Sequence, residues 1–357
     1  MTTNMNENDD RLLDQALVDL GWNATLKLSL DEHKSDGAAR VVGRVSRLDR
    51  GWSTVMLSAR LETMRTRNIG ADVAVGDWVV VSPDDERIER VLTRFSALTR
   101  RVSSDVVKAE SHTVAANIDT VFLVQSANSE INLRRIEREL VLGFDSGAEP
   151  VIVINKCDMV NATEQAAMVS GIREIAGSIA IHMVSAIDGS GLDALRGYAV
   201  PNRTLVVLGA SGVGKSTIVN ALAGASLQST GQVRDGDQRG RHTTVASELV
   251  PLIVGGWLID TPGLRAVSLW LSNHGIERAF ADVFAATEQC RFRDCKHESE
   301  PSCAVREAVA AGVFTQERLD NMRALVSEEV ALEQQQVEYK RTGNRKGARR
   351  PTGTAES

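Results

Sequence analysis

The chain has 357 residues, 43% of them hydrophobic, and a formal net charge of −6. That length holds two or three domains with real cores, and a net acidic balance does not by itself point to nucleic acid. No apolar run is long enough to span a membrane, and Met1–Asp10 is polar and acidic, unlike a signal peptide, so a cytoplasmic protein is expected.

Leu12, Leu13, Ala16, Leu17 and Leu20 have helical spacing within an otherwise polar start, which fits either a short docking helix or a partly ordered tail. Residues 37–98 read as all-β. Arg40–Leu48 alternates, Asp49-Arg50-Gly51 turns, and Trp52–Leu57, Trp78–Val81 and Ile88–Leu92 follow between turn residues. Short strands at this spacing predict a small barrel, and a five-stranded OB-type barrel fits the length. Such barrels often bind RNA, although a barrel without RNA contacts has the same pattern. Residues 99–116 carry few apolar side chains and read as a linker.

An α/β pattern comes next. Thr120–Val124 and Pro150–Ile154 read as buried strands, with a helix between them over Asn132–Leu142. The second strand ends in Asn155-Lys156-Cys157-Asp158. An acidic residue at the carboxyl end of a parallel strand sits where α/β sheets bind ligands. The Asp158 carboxylate can accept from guanine N1–H and its N2 amine, a donor pair that adenine lacks. Asn155 would brace the loop, and the stem of Lys156 would cover the base. After a helix over Glu164–Ala176, the strand Ile179–Val184 delivers Ser185-Ala186, where a backbone N–H can reach guanine O6. Gly189–Leu195 begins another helix.

The strand Leu205–Leu208 then runs into Gly209-Ala210-Ser211-Gly212-Val213-Gly214-Lys215-Ser216-Thr217 and a helix from Ile218. This is the G-x-x-x-x-G-K-S phosphate loop. Its N–H groups and the helix N-terminus face an anion. Lys215 reaches the β- and γ-phosphates, and the Ser216 hydroxyl ligates Mg²⁺. A mobile loop over Leu227–Arg241 leads into Gly240–Thr244, and two further strands, Leu249–Val254 and Gly256–Ile259, end in Asp260-Thr261-Pro262-Gly263. Asp260 can hold Mg²⁺ through a water, and the Gly263 N–H can sense the γ-phosphate.

Near the C-terminus, Cys290-x4-Cys295-x-His297-x5-Cys303 offers three thiols and one imidazole, a set suited to a closed tetrahedral Zn²⁺ site. Arg291, Phe292, Arg293 and Lys296 make its loop basic and aromatic, a composition that suits RNA. Helices are expected over Ile276–Glu288, Ala304–Ala311 and Gln316–Glu333. Six basic residues, Lys340, Arg341, Arg345, Lys346, Arg349 and Arg350, crowd the end without an acidic neighbour, as an RNA-touching arm or a solubilising tail.

The base-reading motif precedes the phosphate loop, the reverse of most GTPases. With a small barrel before it and a Cys/His cluster after it, the chain resembles the RsgA (YjeQ/YloQ) family of small-ribosomal-subunit biogenesis GTPases over about residues 37–335. The resemblance implies a multidomain α/β protein. Its parts are an N-terminal extension over 1–36, an OB-type β-barrel over 37–98 and a circularly permuted P-loop GTPase domain over 99–275. A helical zinc-binding domain over 276–335 and a basic tail over 336–357 complete it. It further implies a monomer that binds GTP or GDP with Mg²⁺, carries one Zn²⁺, acts on the small ribosomal subunit and its rRNA, and leaves after hydrolysis. His242 would position the attacking water, in place of a Gln after the Asp-x-x-Gly motif, where this chain has Leu264. Thr243 or Thr244 would ligate Mg²⁺. Gly212 stands where some K⁺-activated GTPases have Asn, so no K⁺ dependence is expected. An ATPase shares the phosphate loop, but Asp158 argues against it. A GTP-controlled RNA-binding scaffold shares every motif.

Overall fold

The computed structural model describes residues 15–32, 40–58, 62–70, 72–102, 110–224, 247–261 and 273–347. The chain divides into two compact units, one of Met1–Thr99 with Thr113–Val267 and one of Arg100–His112 with Ser268–Ser357.

Side chains of a strand alternate between its faces, so the period-two stretches near the N-terminus each offer one apolar face. Five strands use it: β1 (Val41–Asp49), β2 (Trp52–Met56), β3 (Thr63–Arg67), β4 (Trp78–Ser82) and β5 (Arg87–Val91). They pair in the order β1-β2-β3-β5-β4, and β4 returns to β1, which closes the barrel. Val45, Val55, Val73, Val79, Val81 and Ile88 fill it. Gly43 permits close approach of β2, because a Cβ there would lie 2.5 Å from the Val55 side chain and 2.7 Å from the Met56 carbonyl. Hydrophobic alternation did not announce β3, whose Thr-Met-Arg-Thr-Arg sequence buries only Thr66 fully.

Residues 15–32 of the N-terminal extension pack into the first unit. Residues 15–18 are helical, and α1 (Ala24–Asp31) follows, capped by Asn23, whose side chain accepts from the Leu26 N–H at 3.0 Å. Leu20 and Leu26 are fully buried. Trp22 packs edge-on against Trp78 of the barrel, and Trp257 Nε1 donates to the Asp19 carbonyl at 2.9 Å. Leu12 and Leu13 lie outside the described residues.

The linker expected over 99–116 is instead occupied by β6 (Ala97–Val102) and β7 (Glu110–Ala116), which form a separate two-stranded sheet. Backbone pairing holds such a ribbon, so its side chains need little hydrophobic patterning.

The second half of the first unit is a sheet in the order β10 (Ile181–Met183), β9 (Glu149–Asn155), β8 (Thr120–Ser126), β11 (Thr204–Gly209), β13 (Trp257–Asp260), β12 (Glu248–Pro251). The first five are parallel and β12 is antiparallel. Parallel strands buried on both faces read as continuous apolar runs, as Val121–Val124 and Val151–Ile154 do. They pack against Ile218, Val219 and Leu222 of the helix that follows the glycine-rich loop, and against Leu192 and Leu195. The helices are α2 (Leu133–Asp145), α3 (Ala162–Ala176), α4 (Leu192–Arg196) and α5 (Lys215–Ala223). A single pairing, Arg47 with Glu248, continues the sheet into the barrel.

In the second unit lie α6 (Asn273–Ala279), α7 (Ala281–Thr287), α8 (Ala304–Ala310) and α9 (Gln316–Gly347). The helix expected over Ile276–Glu288 breaks at Phe280 (φ −117°, ψ 35°), which is fully buried under the Arg318 guanidinium. The last helix does not end near Glu333 but continues to Gly347, so Lys340, Arg341, Arg345 and Lys346 lie on a helix. The Glu, Gln, Lys and Arg that fill this stretch are good helix formers. Among the described residues, no helix is long and apolar enough to cross a membrane.

Candidate nucleotide site and metal centre

Every candidate nucleotide residue described by the structure lies at the carboxyl ends of β9, β10, β11 and β13, where an open α/β sheet binds ligands. After Asn155 the backbone turns through Lys156, held at φ 64°. The turn continues as a single 3-10 turn over Cys157–Met159. This turn sends Lys156 back across the glycine-rich loop, where its Nζ donates to the Gly212 carbonyl at 2.7 Å. Cys157 is buried, its N–H donating to the Val184 carbonyl at 3.1 Å, while Gln165 holds the Cys157 carbonyl at 3.0 Å. Asp158 is left exposed at the rim.

Asn155 is 2% exposed and joins three loops. Its amide donates to the Val213 carbonyl at 2.9 Å, and its Oδ1 accepts from the Ala186 N–H at 3.1 Å. These two bonds tie the turn after β9 to the glycine-rich loop and to the Ser185-Ala186 turn. The N–H groups expected to face a base are engaged inside the protein, Ala186 with Asn155 and Ser185 with the Ser190 carbonyl at 2.9 Å. For Ala186 to reach a base oxygen, it must share or release that bond.

The loop Gly209–Lys215 takes its shape from its glycines. Gly214 has φ 95°, and a Cβ there would lie 2.2 Å from the Asn155 amide nitrogen. At Gly209 a Cβ would lie 2.3 Å from the Val124 carbonyl. Lys215 folds over the loop, its Nζ donating to the Gly209 carbonyl at 2.9 Å and to that of Ala210. Ala210 and Ser211 shape the same loop, and Ser216 and Thr217 stand half-buried in the first turn of α5. Asp260 is half-buried at the end of β13, beside the strand that feeds the loop. His242, Thr243, Thr244 and Gly263 lie outside the described residues.

In the second unit, Cys290, Cys295, His297 and Cys303 bring one ligand atom each to within 4.8 Å of one another. Cys303 N-caps α8, and His297 takes φ 61°. Arg323 donates to the Lys296 and His297 carbonyls at 3.1 Å each, pinning the loop from α9. The Glu300 carboxylate accepts from the backbone N–H groups of Lys296, Glu298 and Ser299, which holds it down at about 2. Burial, reinforced by the Arg323 charge, lowers the His297 pKa and favours the neutral ring that a metal needs. All four cysteines of the chain are free thiols. The set can hold one metal ion. Arg291, Phe292, Arg293 and Lys296 are exposed around it, with the Arg291 guanidinium 5.5 Å from the Phe292 ring centre.

Sequence reasoning missed Arg44. It is 1% exposed in β1. It donates to the carbonyls of Leu20 at 2.6 Å, Gly76 at 3.2 Å and Asn117 at 3.0 Å, and to the Thr204 hydroxyl at 2.8 Å. Its acceptors come from four separate stretches of the chain, so no local motif could mark it.

Residues 91–270 match the RsgA GTPase family. The chain is 38% identical over 345 residues to a Streptomyces avermitilis protein named small ribosomal subunit biogenesis GTPase RsgA, covering 93% of this chain and 92% of that one. A Methanosarcina acetivorans protein of the same name is 37% identical over 316 residues, covering 86% of this chain and 84% of the relative. The crystal structure of YjeQ from Thermotoga maritima superposes with a TM-score of 0.60 at 29% identity, covering 82% of this chain and 99% of that one. YloQ, described as a circularly permuted GTPase, shares the fold with a TM-score of 0.59 at 21% identity over 84% of this chain and 98% of its own. A closed five-stranded barrel, a sheet in which Asn155–Asp158 precedes the glycine-rich loop, and a Cys₃His cluster thus occur in one chain, which belongs to the RsgA family of circularly permuted GTPases.

Proposed function

We propose that this GTPase matures the small ribosomal subunit in the cytoplasm, binding its rRNA as a monomer and leaving after GTP hydrolysis. The observation that carries the reading is the match over 92% of a relative named for that role, which spans both domains flanking the nucleotide sheet.

In this reading Gly209–Thr217 wraps the phosphates, and Lys215 leaves its loop carbonyls to meet the β- and γ-oxygens. Asp158 reads guanine, Lys156 covers the base, and Asn155 keeps the base loop and phosphate loop in register. Cys157 anchors that loop, and Ser185-Ala186 closes the pocket. Ser216, Asp260 and one of Thr243 and Thr244 would hold Mg²⁺, which supplies counter-charge for the phosphates. His242 orients the water that attacks the γ-phosphorus as the bond to the β-phosphate oxygen breaks. Gly263 contacts the γ-phosphate and reports its loss. The four ligands near the C-terminus would hold Zn²⁺, because three thiolates and a neutral imidazole match its tetrahedral preference.

Two surfaces suit RNA. On the barrel, exposed Arg65 and Arg67 lie 4.9 and 5.4 Å from the Trp52 ring centre, a cation–π group that nucleotide bases can join. The loop around Phe292 is the other.

A ligand shifts an equilibrium only by its differential affinity, so the GTP form must bind the subunit better than the GDP form. Co-sedimentation with small subunits should be strong with a non-hydrolysable GTP analogue and weak with GDP. His242→Ala should keep GTP affinity, slow hydrolysis roughly ten- to thousand-fold and remain on the subunit. Equal co-sedimentation in both nucleotides contradicts the release step.

A further inference from the structure

The Asp158 side chain is exposed, so its direction follows from the turn that carries it. Two residues of that turn, Cys157 and Val160, are held from α3. Gln165 lies near the start of α3, and its Nε2 donates to the Cys157 carbonyl at 3.0 Å and to the Val160 carbonyl at 3.2 Å. A side-chain amide has two N–H donors, one for each carbonyl. These carbonyls bracket Asp158 in the chain. The helix end that carries Gln165 is itself fixed. The Asn161 side chain accepts from the Thr163 and Glu164 N–H groups at 2.9 and 3.0 Å, and the Glu164 carboxylate accepts from the Asn161 N–H at 2.8 Å. On the other side of the turn, the Cys157 N–H donates to the Val184 carbonyl at 3.1 Å, just ahead of Ser185-Ala186. The turn is thus clamped between α3 and the residue that follows β10.

We propose that Gln165 is a positioning residue for base choice: by holding both carbonyls it fixes the Cys157–Val160 turn and aims the Asp158 carboxylate at the guanine edge. Accepting from N1–H and the N2 amine together needs both carboxylate oxygens in place, and a turn held in advance spares the ligand the cost of ordering it. Gln165 acts through Asp158 and not on the base itself. This rests on the reading of Asp158 as the residue that accepts from guanine.

The test is equilibrium binding of GDP and inosine diphosphate to the full chain. Hypoxanthine keeps N1–H and lacks the N2 amine, so inosine diphosphate can use only one of the two bonds to Asp158. Gln165→Met keeps the length and removes both donors. It should weaken GDP roughly three- to thirty-fold, the range for losing one or two hydrogen bonds that hold the turn. Inosine diphosphate should lose less, so the preference for GDP narrows. In an Asp158→Asn background the same change should move GDP affinity by no more than about twofold, because the carboxylate it acts through is gone. A purely structural role would weaken both nucleotides alike and would do so in either background. That result overturns the proposal, as does unchanged GDP affinity in Gln165→Met. If Gln165→Met does not fold, Gln165→Asn, one methylene too short to keep both bonds, decides by the same ratio, and an unchanged ratio overturns the proposal. GDP affinity unchanged by Asp158→Asn alone would instead remove the base reading on which the proposal stands.

Discussion

At the scale of single residues, the proposed specificity for guanine rests on Asp158. It is exposed at the rim of a loop whose other members are buried or pinned, so its carboxylate is presented to a ligand rather than used for packing. Replacing it by Asn leaves one guanine N–H facing an amide donor or a weaker acceptor, a costly mismatch in a site built for hydrogen bonding. Asp158→Asn should weaken GTP binding by roughly a hundredfold or more and raise relative affinity for xanthosine triphosphate. Unchanged GTP affinity in a titration would take Asp158 out of the base pocket. The glycines of the Gly209–Lys215 loop were legible in the sequence because each takes a positive φ that favours glycine. Arg44 was not, because its hydrogen-bond partners are distant in sequence.

At the scale of elements, the period-two and continuous apolar runs located most strands of both sheets. They failed at β3, β6 and β7, where backbone pairing holds many polar side chains in strands. Helix ends were less legible, since Phe280 breaks a helix for reasons of tertiary packing. The Cys/His spacing picked out four candidate metal ligands, and the fold gathers all four. A metal bound to such a set contributes folding free energy, because the unfolded chain has no preformed site. Purified without chelator, the protein should carry about one Zn²⁺ per chain. Cys295→Ser should lose the ion and leave residues beyond about 280 protease-sensitive, with nucleotide affinity in the first unit retained. Metal analysis that finds no zinc in the wild-type protein contradicts this.

At the scale of the whole molecule, the first unit is held together by features that no single motif carries. Arg44 ties the N-terminal extension, the barrel and the strand that enters the phosphate loop. Burial pushes its guanidinium down to about 10, so it stays charged at neutral pH. Arg44→Met keeps the apolar bulk but leaves buried carbonyls without a donor, which should cost about 3 kcal/mol of stability in urea unfolding. An unchanged unfolding midpoint would show that the barrel and nucleotide sheet hold together without it. The permuted order, read first from the sequence, is the chain order of the elements: Asn155–Asp158 follows β9 and Ser185-Ala186 follows β10, both ahead of Gly209–Lys215 after β11. This site is proposed to hydrolyse GTP under the control of the small ribosomal subunit. Steady-state turnover of GTP and of ATP, each with and without purified small subunits, tests it most directly. Slow GTP turnover alone, strong stimulation by the subunit and little ATP turnover in either case are expected. GTP turnover that the subunit leaves unchanged, or equal use of ATP, would contradict it.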